Sequence, residues 1–195
     1  MMYRIAALVL AASFIHGETR AAEWYLDFAY ATGGDDLAEV ELEYEDGDTS
    51  SEDITAGGGF SLAFGLSQPF TELFAVQAAY GYKEHAVRAD NGSSSFKRMT
   101  LDVLAVLTPG DWRIGAGFTK EMDPKLHVKY GIADYGFDDA TGTVVEVGYH
   151  FSESFAVALR RTMIEYDVTI GIPDYGSFEG TIDGNNWGIR AEFLF

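Results

Sequence analysis

Glu146, Arg160 and Arg190 each stand five residues from an aromatic: Phe151, Phe155 and Phe195 respectively. If their segments are neighbouring strands, that shared spacing gives the three charges one depth. Asp27, Arg98, Asp102, Arg113 and Glu192 sit at the polar parity of their own alternating segments, with Gln77 and Lys83 in similar places. Carboxylates and guanidiniums collected at one depth can do two kinds of chemistry. They can neutralise one another in a buried ion-pair network, since a buried charge persists only when paired and hydrogen-bonded. Alternatively, the same groups can line a narrow, gated conduit for ions or small solutes.

A second group is acidic. Residues 33–58 carry Asp35, Asp36, Glu39, Glu41, Glu43, Glu45, Asp46, Asp48, Glu52 and Asp53 without one Lys or Arg. Carboxylates such as Glu45, Asp46, Asp48, Glu52 and Asp53 can hold Ca2+ or Mg2+ loosely through oxygen, or they can form a solvated acidic rim. Their spacing is not that of an EF-hand loop. The four histidines, His16, His85, His127 and His150, show no metal-ligand spacing. With no glycine-rich phosphate loop either, no cofactor is expected.

The elements that must position these groups are strands. Trp187, Ile189, Ala191, Phe193 and Phe195 share one parity, and Gly188, Arg190 and Glu192 take the other. Alternate side chains of a strand point to opposite faces, so such a segment has one apolar face and one charged face. The same alternation starts at Trp24, Phe60, Phe74, Met99, Trp112, Val145 and Phe155, which makes eight strands. Connections near 67–72, 108–111 and 152–154 are short. Those near 33–58, 88–95, 120–142 and 168–184 are long, and the two classes strictly alternate. Each strand has roughly the 9–11 residues that cross a bilayer at a tilt. Aromatics cluster at both strand ends, as at the two interfaces of a membrane barrel.

Residues 1–21 read as a secretory signal, with a charged start and an apolar core over Ile5–Ile15; cleavage after Gly17 is the other option. Residues 22–195 then form one domain. The chain has no cysteine, so closed hydrogen bonding or a large core must replace disulfides. Its 13 basic and 31 acidic residues give a net charge of −18. Loss of Arg4, Glu18 and Arg20 with the signal leaves 11 against 30, or −19. Nucleic acid, which wants basic surface, is excluded as a partner.

The signal, the dyad alternation, the loop asymmetry and the terminal Phe195 together resemble the small eight-stranded Gram-negative outer-membrane β-barrels. That class includes the OmpA transmembrane domain, OmpX-like and OmpW-like proteins. The resemblance implies an all-β, antiparallel, up-and-down transmembrane barrel in the cell outer membrane, with short periplasmic turns, long extracellular loops and both mature termini periplasmic. It implies lipid and lipopolysaccharide as surroundings, and recognition of Phe193 and Phe195 by the barrel assembly machinery. Such folds host many activities. The expected role is non-enzymatic: envelope-structural, or surface interaction through the acidic loops with a partner not yet identified. A narrow channel or a small hydrophobic-solute transporter is the alternative.

Two local features carry their own expectations. His150-Phe151-Ser152 has the His and Ser spacing used by outer-membrane lipid A deacylases, but Glu153-Ser154 follow where that motif has Asn and Gly. The segment also falls in a short turn on the wrong side for outer-leaflet substrate, so no enzyme is expected. In the seventh strand, apolar residues change parity after Arg161, to Ile164, Tyr166, Val168 and Ile170. A β-bulge within Arg160–Met163 would restore the pattern. It would turn both arginines away from lipid and leave Ile164 and Tyr166 outside; the alternative is a regular strand whose Arg161 snorkels to the outer headgroups.

Overall fold

The computed structural model describes residues 21–43, 49–89, 92–128, 134–172 and 176–195. Nearly all of the expected signal, and Glu45, Asp46 and Asp48, lie outside the described residues. The strands are β1 (Glu23–Thr32), β2 (Asp36–Glu43), β3 (Thr49–Thr55), β4 (Gly59–Pro69), β5 (Phe74–Ala89), β6 (Gly92–Leu107), β7 (Trp112–Val128), β8 (Asp134–Gly136), β9 (Ala140–Ser152), β10 (Phe155–Met163), β11 (Glu165–Ile172), β12 (Gly176–Asp183) and β13 (Asn186–Leu194).

Eight of them close into an antiparallel barrel in the order β1-β4-β5-β6-β7-β9-β10-β13, with β13 pairing back to β1. This is the expected up-and-down transmembrane barrel. The alternation explains it: Phe60, Phe64, Ile114, Phe118 and Ile189 are exposed on the outer wall, while Tyr25, Asp27, Arg113 and Arg190 are buried inside. An exposed apolar belt of that extent needs lipid to cover it. Closure leaves no free edge, so every barrel strand satisfies its backbone within the ladder. The last rung joins the chain ends: Trp24 N donates to Phe195 O at 3.2 Å and Phe195 N to Trp24 O at 2.9 Å.

The short turns follow Pro69, Leu107 and Ser152 as expected. The opposite end holds more structure than loops. β5 and β6 pair without interruption from Phe74↔Leu107 to Ala89↔Gly92, so most of 88–95 is strand. β7 likewise runs to Val128, well into the expected third loop. The first and fourth long connections are hairpins, β2–β3 and β11–β12.

A bulge is present, though on another strand than expected. β6 and β7 pair as Lys97↔Lys125 and Met99↔Met122, which leaves Asp123 and Pro124 opposite Arg98 alone. Asp123 adopts φ 50°, a left-handed conformation that Asp tolerates better than most residues. Pro124 has no N–H to give to a ladder, and a bulge is where a strand accepts that loss. Parity inverts across it: Glu121 is buried below, and Pro124 and Leu126 are buried above.

β10 has no bulge within Arg160–Met163. Its pairing with β13 is unbroken from Phe155↔Phe193 to Thr162↔Asn186, and its one irregularity, against β9, falls between Phe155 and Ala156. Arg161 faces outward, its guanidinium 5.3 Å from the ring centre of the exposed Trp187. Ile164 and Tyr166 are buried, not on the outer surface. The parity change marks the point where the chain leaves the wall after Met163 and turns over the barrel mouth.

There Ile54, Ala56, Val87, Phe96, Leu126, Ala140, Ile164 and Tyr166 form one apolar cluster. Phe96 packs edge-on against Phe137 at 5.3 Å and Tyr166 at 5.8 Å. This cluster caps the lumen from the long-connection end.

Candidate functional site: the charged lumen

Below the cap, the barrel interior is arranged in layers. The first, toward the short turns, centres on two arginines with 1% exposure each, Arg113 of β7 and Arg190 of β13. Arg190 donates from Nη1 to Glu146 Oε1 and Oε2 at 3.0 and 3.1 Å, and from Nη2 to Glu192 Oε2 at 2.6 Å. Its Nε bonds Asp27, and its plane lies 5.5 Å from the Tyr25 ring centre. Arg113 donates to Glu146 Oε1 from Nε at 2.9 Å and Nη2 at 2.5 Å. It also reaches Glu192 Oε1 at 3.0 Å and Gln77 Oε1 at 2.7 Å. Gln77 closes the ring by donating to Glu192 Oε1 at 3.2 Å. Such charge-assisted, multidentate pairing is what permits so many ions away from water. Small residues make room: a Cβ on Gly115 would stand 2.6 Å from Glu146 Cγ.

Arg160 sits beside this layer. It is the ladder partner of Glu146, yet its Nη2 donates to Asp102 Oδ2 at 2.5 Å. The expected triad of Glu146, Arg160 and Arg190 is therefore corrected: Glu146 is held by Arg113 and Arg190. Above lies a partly open cavity of about 50 Å3, whose lining includes Asp27, Asp102, Lys83, Ser61 and Thr100. Asp27 Oδ1 and Asp102 Oδ1 are buried and accept no hydrogen bond from the protein.

The next layer fastens the cap. Arg98, expected with the others, instead donates from Nε to Glu121 Oε2 at 2.7 Å and from Nη2 to Gly58 O at 3.0 Å. Tyr166 OH donates to the same Glu121 carboxylate, and Lys83 Nζ lies 3.8 Å from it. Burial pushes the Tyr166 phenol well above its ordinary range, with the Glu121 carboxylate adding to the effect. The phenol therefore stays a donor. Glu121 was missed in the sequence because 120–142 read as loop, although its parity matches Arg113 and Thr119.

Lys83, Arg98, Arg113, Arg160 and Arg190 balance Asp27, Asp102, Glu121, Glu146 and Glu192. The formal charges of the described lumen are thus matched in number, and the strong acidity of the chain lies outside it.

The short-turn mouth is an open hollow of about 730 Å3 whose lining includes Glu23, Glu72, Asp111, His150 and Glu153. Ser152 Oγ approaches Ser154 Oγ at 3.4 Å, while His150 Nε2 has no hydrogen-bond partner. The His-Phe-Ser segment therefore forms no base–nucleophile pair. Glu52 and Asp53 are exposed and successive on β3, so they point to opposite faces, and no metal-binding cluster occurs among the described residues. Phe193 and Phe195 are exposed on the outer wall; Phe193 packs on Phe155 at 4.9 Å and Phe195 near Phe64 at 6.3 Å.

No protein-family model matches the chain, and no curated protein sequence matches it. Solved structures do. The outer membrane protein OprG from Pseudomonas aeruginosa is 15% identical with a TM-score of 0.55, over 90% of this chain and 97% of its own. Ail, the attachment invasion locus protein of Yersinia pestis, is 9% identical with a TM-score of 0.48, over 89% and 97%. Neisserial surface protein A is 11% identical with a TM-score of 0.48, over 92% and 100%. At these identities the likeness is one of fold: the chain has the architecture of the small eight-stranded outer-membrane β-barrels.

Proposed function

We propose that this chain is a sealed, non-enzymatic outer-membrane barrel, an anchor whose envelope-structural or surface-interaction role is carried by the structure above the long-connection end. The observation that carries this reading is double closure. The Arg113–Glu146–Arg190–Glu192 layer crosses the lumen between β7, β9 and β13. The apolar cap then covers its far end. Between them is room for a few waters only, since each needs about 10–15 Å3. In this reading the short turns and both ends of the barrel domain face the periplasm, and β2–β3 and β11–β12 face outward.

Liposome swelling tests it. Proteoliposomes should exclude small sugars and amino acids as protein-free vesicles do. Uptake at rates set by solute size would favour a channel instead.

A further inference from the structure

We infer that the outer wall at the long-connection end carries a docking site for a phosphate-bearing lipid headgroup, built by Lys97, Lys120 and Lys125 on β6 and β7. The inference rests on the outer-membrane placement proposed above and names the lipid partner that placement would supply.

The first observation is where positive charge has been spent. Of the 13 Lys and Arg residues, Arg4 and Arg20 precede the barrel and five point into the lumen. Among the described side chains, the remaining ones are Lys97, Lys120, Lys125 and Arg161, and none belongs to a short turn. The charges at the short-turn mouth are acidic: Glu23, Glu72, Asp111 and Glu153. These outward cations lie toward the long-connection end, at the height where the headgroups of one leaflet would meet the wall.

The second observation is height. Lys120 pairs in the ladder with Leu101, which pairs with Tyr80, and both of these are exposed on the apolar belt. The next rung is Met122–Met99–Tyr82, and the one above is Lys125–Lys97–Glu84. The three ammonium groups therefore surround the belt edge, where a long Lys side chain lies along apolar surface and lifts its charge to headgroup level.

The third is pairing. Lys97 and Lys125 are direct cross-strand partners on the exposed face, an arrangement that like charges make unfavourable. Each has an acidic neighbour, which a phosphate would have to displace: Lys97 lies 3.5 Å from Glu84 and Lys125 2.8 Å from Asp123. Lys120 lies 2.9 Å from Asp139. All are exposed pairs, which contribute little and exchange readily. Asp139, held below the usual carboxylate range by the Asp123 N–H and then by Lys120, stays ionised and keeps Lys120 at the rim. A phosphomonoester seated between Lys97 and Lys125 would relieve their repulsion. Of the phosphate carriers, a lipid fits this position, because the acyl chains beneath the headgroup would lie on Met99, Met122 and Leu101.

The test compares the full chain in phosphatidylcholine nanodiscs with and without diphosphoryl lipid A, with lipid retention read by native mass spectrometry. The wild-type chain should hold diphosphoryl lipid A in preference to its dephosphorylated form. Lys97→Gln with Lys125→Gln should weaken retention by at least about tenfold, since each Lys near an anionic surface contributes roughly fivefold. Lys97→Arg with Lys125→Arg should preserve it, which separates charge from folding. Equal retention by the Gln variant, or of the dephosphorylated lipid, would overturn the assignment. So would full competition by inorganic phosphate, which would mark a soluble-anion site. Lumen closure is read separately, so a conducting protein that still selects diphosphoryl lipid A would end the sealed-barrel reading and leave this one standing.

Discussion

Arg190 of β13 reaches past β10 to hold Glu146 of β9, at 3.0 Å and 3.1 Å. The two are not ladder neighbours; each pairs with β10 instead, Glu146 with Arg160 and Arg190 with Ala158. The ion pair thus braces the barrel across its interior, over a strand whose Ala158 leaves the space open. Arg113 completes the brace from β7 on the other side of Glu146.

Glu146→Ala would take a carboxylate from two buried guanidiniums that keep Glu192 between them, at a cost of at most about 3–5 kcal/mol. In urea unfolding from lipid vesicles, adding Arg113→Ala should cost less than the sum of the single changes. Coupling of Glu146 to Arg160 should be weaker, because Arg160 spends its hydrogen bond on Asp102. Additivity for Glu146 and Arg113 would mean that they are solvated independently.

Glu121 joins wall to cap. Tyr166→Phe removes one hydrogen bond to a carboxylate, worth about 1.5–3 kcal/mol. Hydrogen exchange should then speed up at Ile164 and Tyr166 and stay unchanged in β1 and β13 near the short turns. Uniform acceleration across the barrel, or none, would contradict a latch at this position.

Deleting Asp123 should abolish the bulge and leave a regular ladder, because Pro124 alone then opposes Arg98 and every later pair in β7 is kept. The chain has no cysteine, so a single Leu126→Cys can report which face that position takes. It should resist thiol reagents in the parent, where Leu126 is buried, and resist them equally in the deletion variant. Reaction in the deletion variant alone would show that Asp123 is not the extra residue of the bulge.

The wall was legible because a period of two needs no long-range information: Trp187, Ile189 and Phe193 face out and Arg190 faces in on parity alone. The charged lumen followed from the same parity, but the partners within it did not. Which carboxylate Arg98 or Arg160 takes depends on rotamers and on strands far apart in sequence. The parity break after Arg161 was visible, yet a bulge and a departure from the wall leave the same trace. Only the three-dimensional path of Ile164 into the cap separates them. In β7 the opposite happened: Asp123-Pro124 is a bulge signature, hidden because charged residues on both sides made the segment read as loop.

Phe195 ends the ladder that closes the barrel, bonding Trp24 through its backbone N–H. Its deletion should lower the yield of heat-modifiable, membrane-embedded protein without lowering synthesis. Undiminished assembly would show that neither the last rung nor the terminal aromatic is needed by the assembly machinery.

Electrical recording in planar bilayers tests the sealed lumen most directly. The wild-type chain should give no unitary current at either polarity, because the Arg113–Glu146–Arg190 brace and the apolar cap close the lumen in series. Reproducible single-channel steps from the wild-type protein would contradict the double closure on which the account depends.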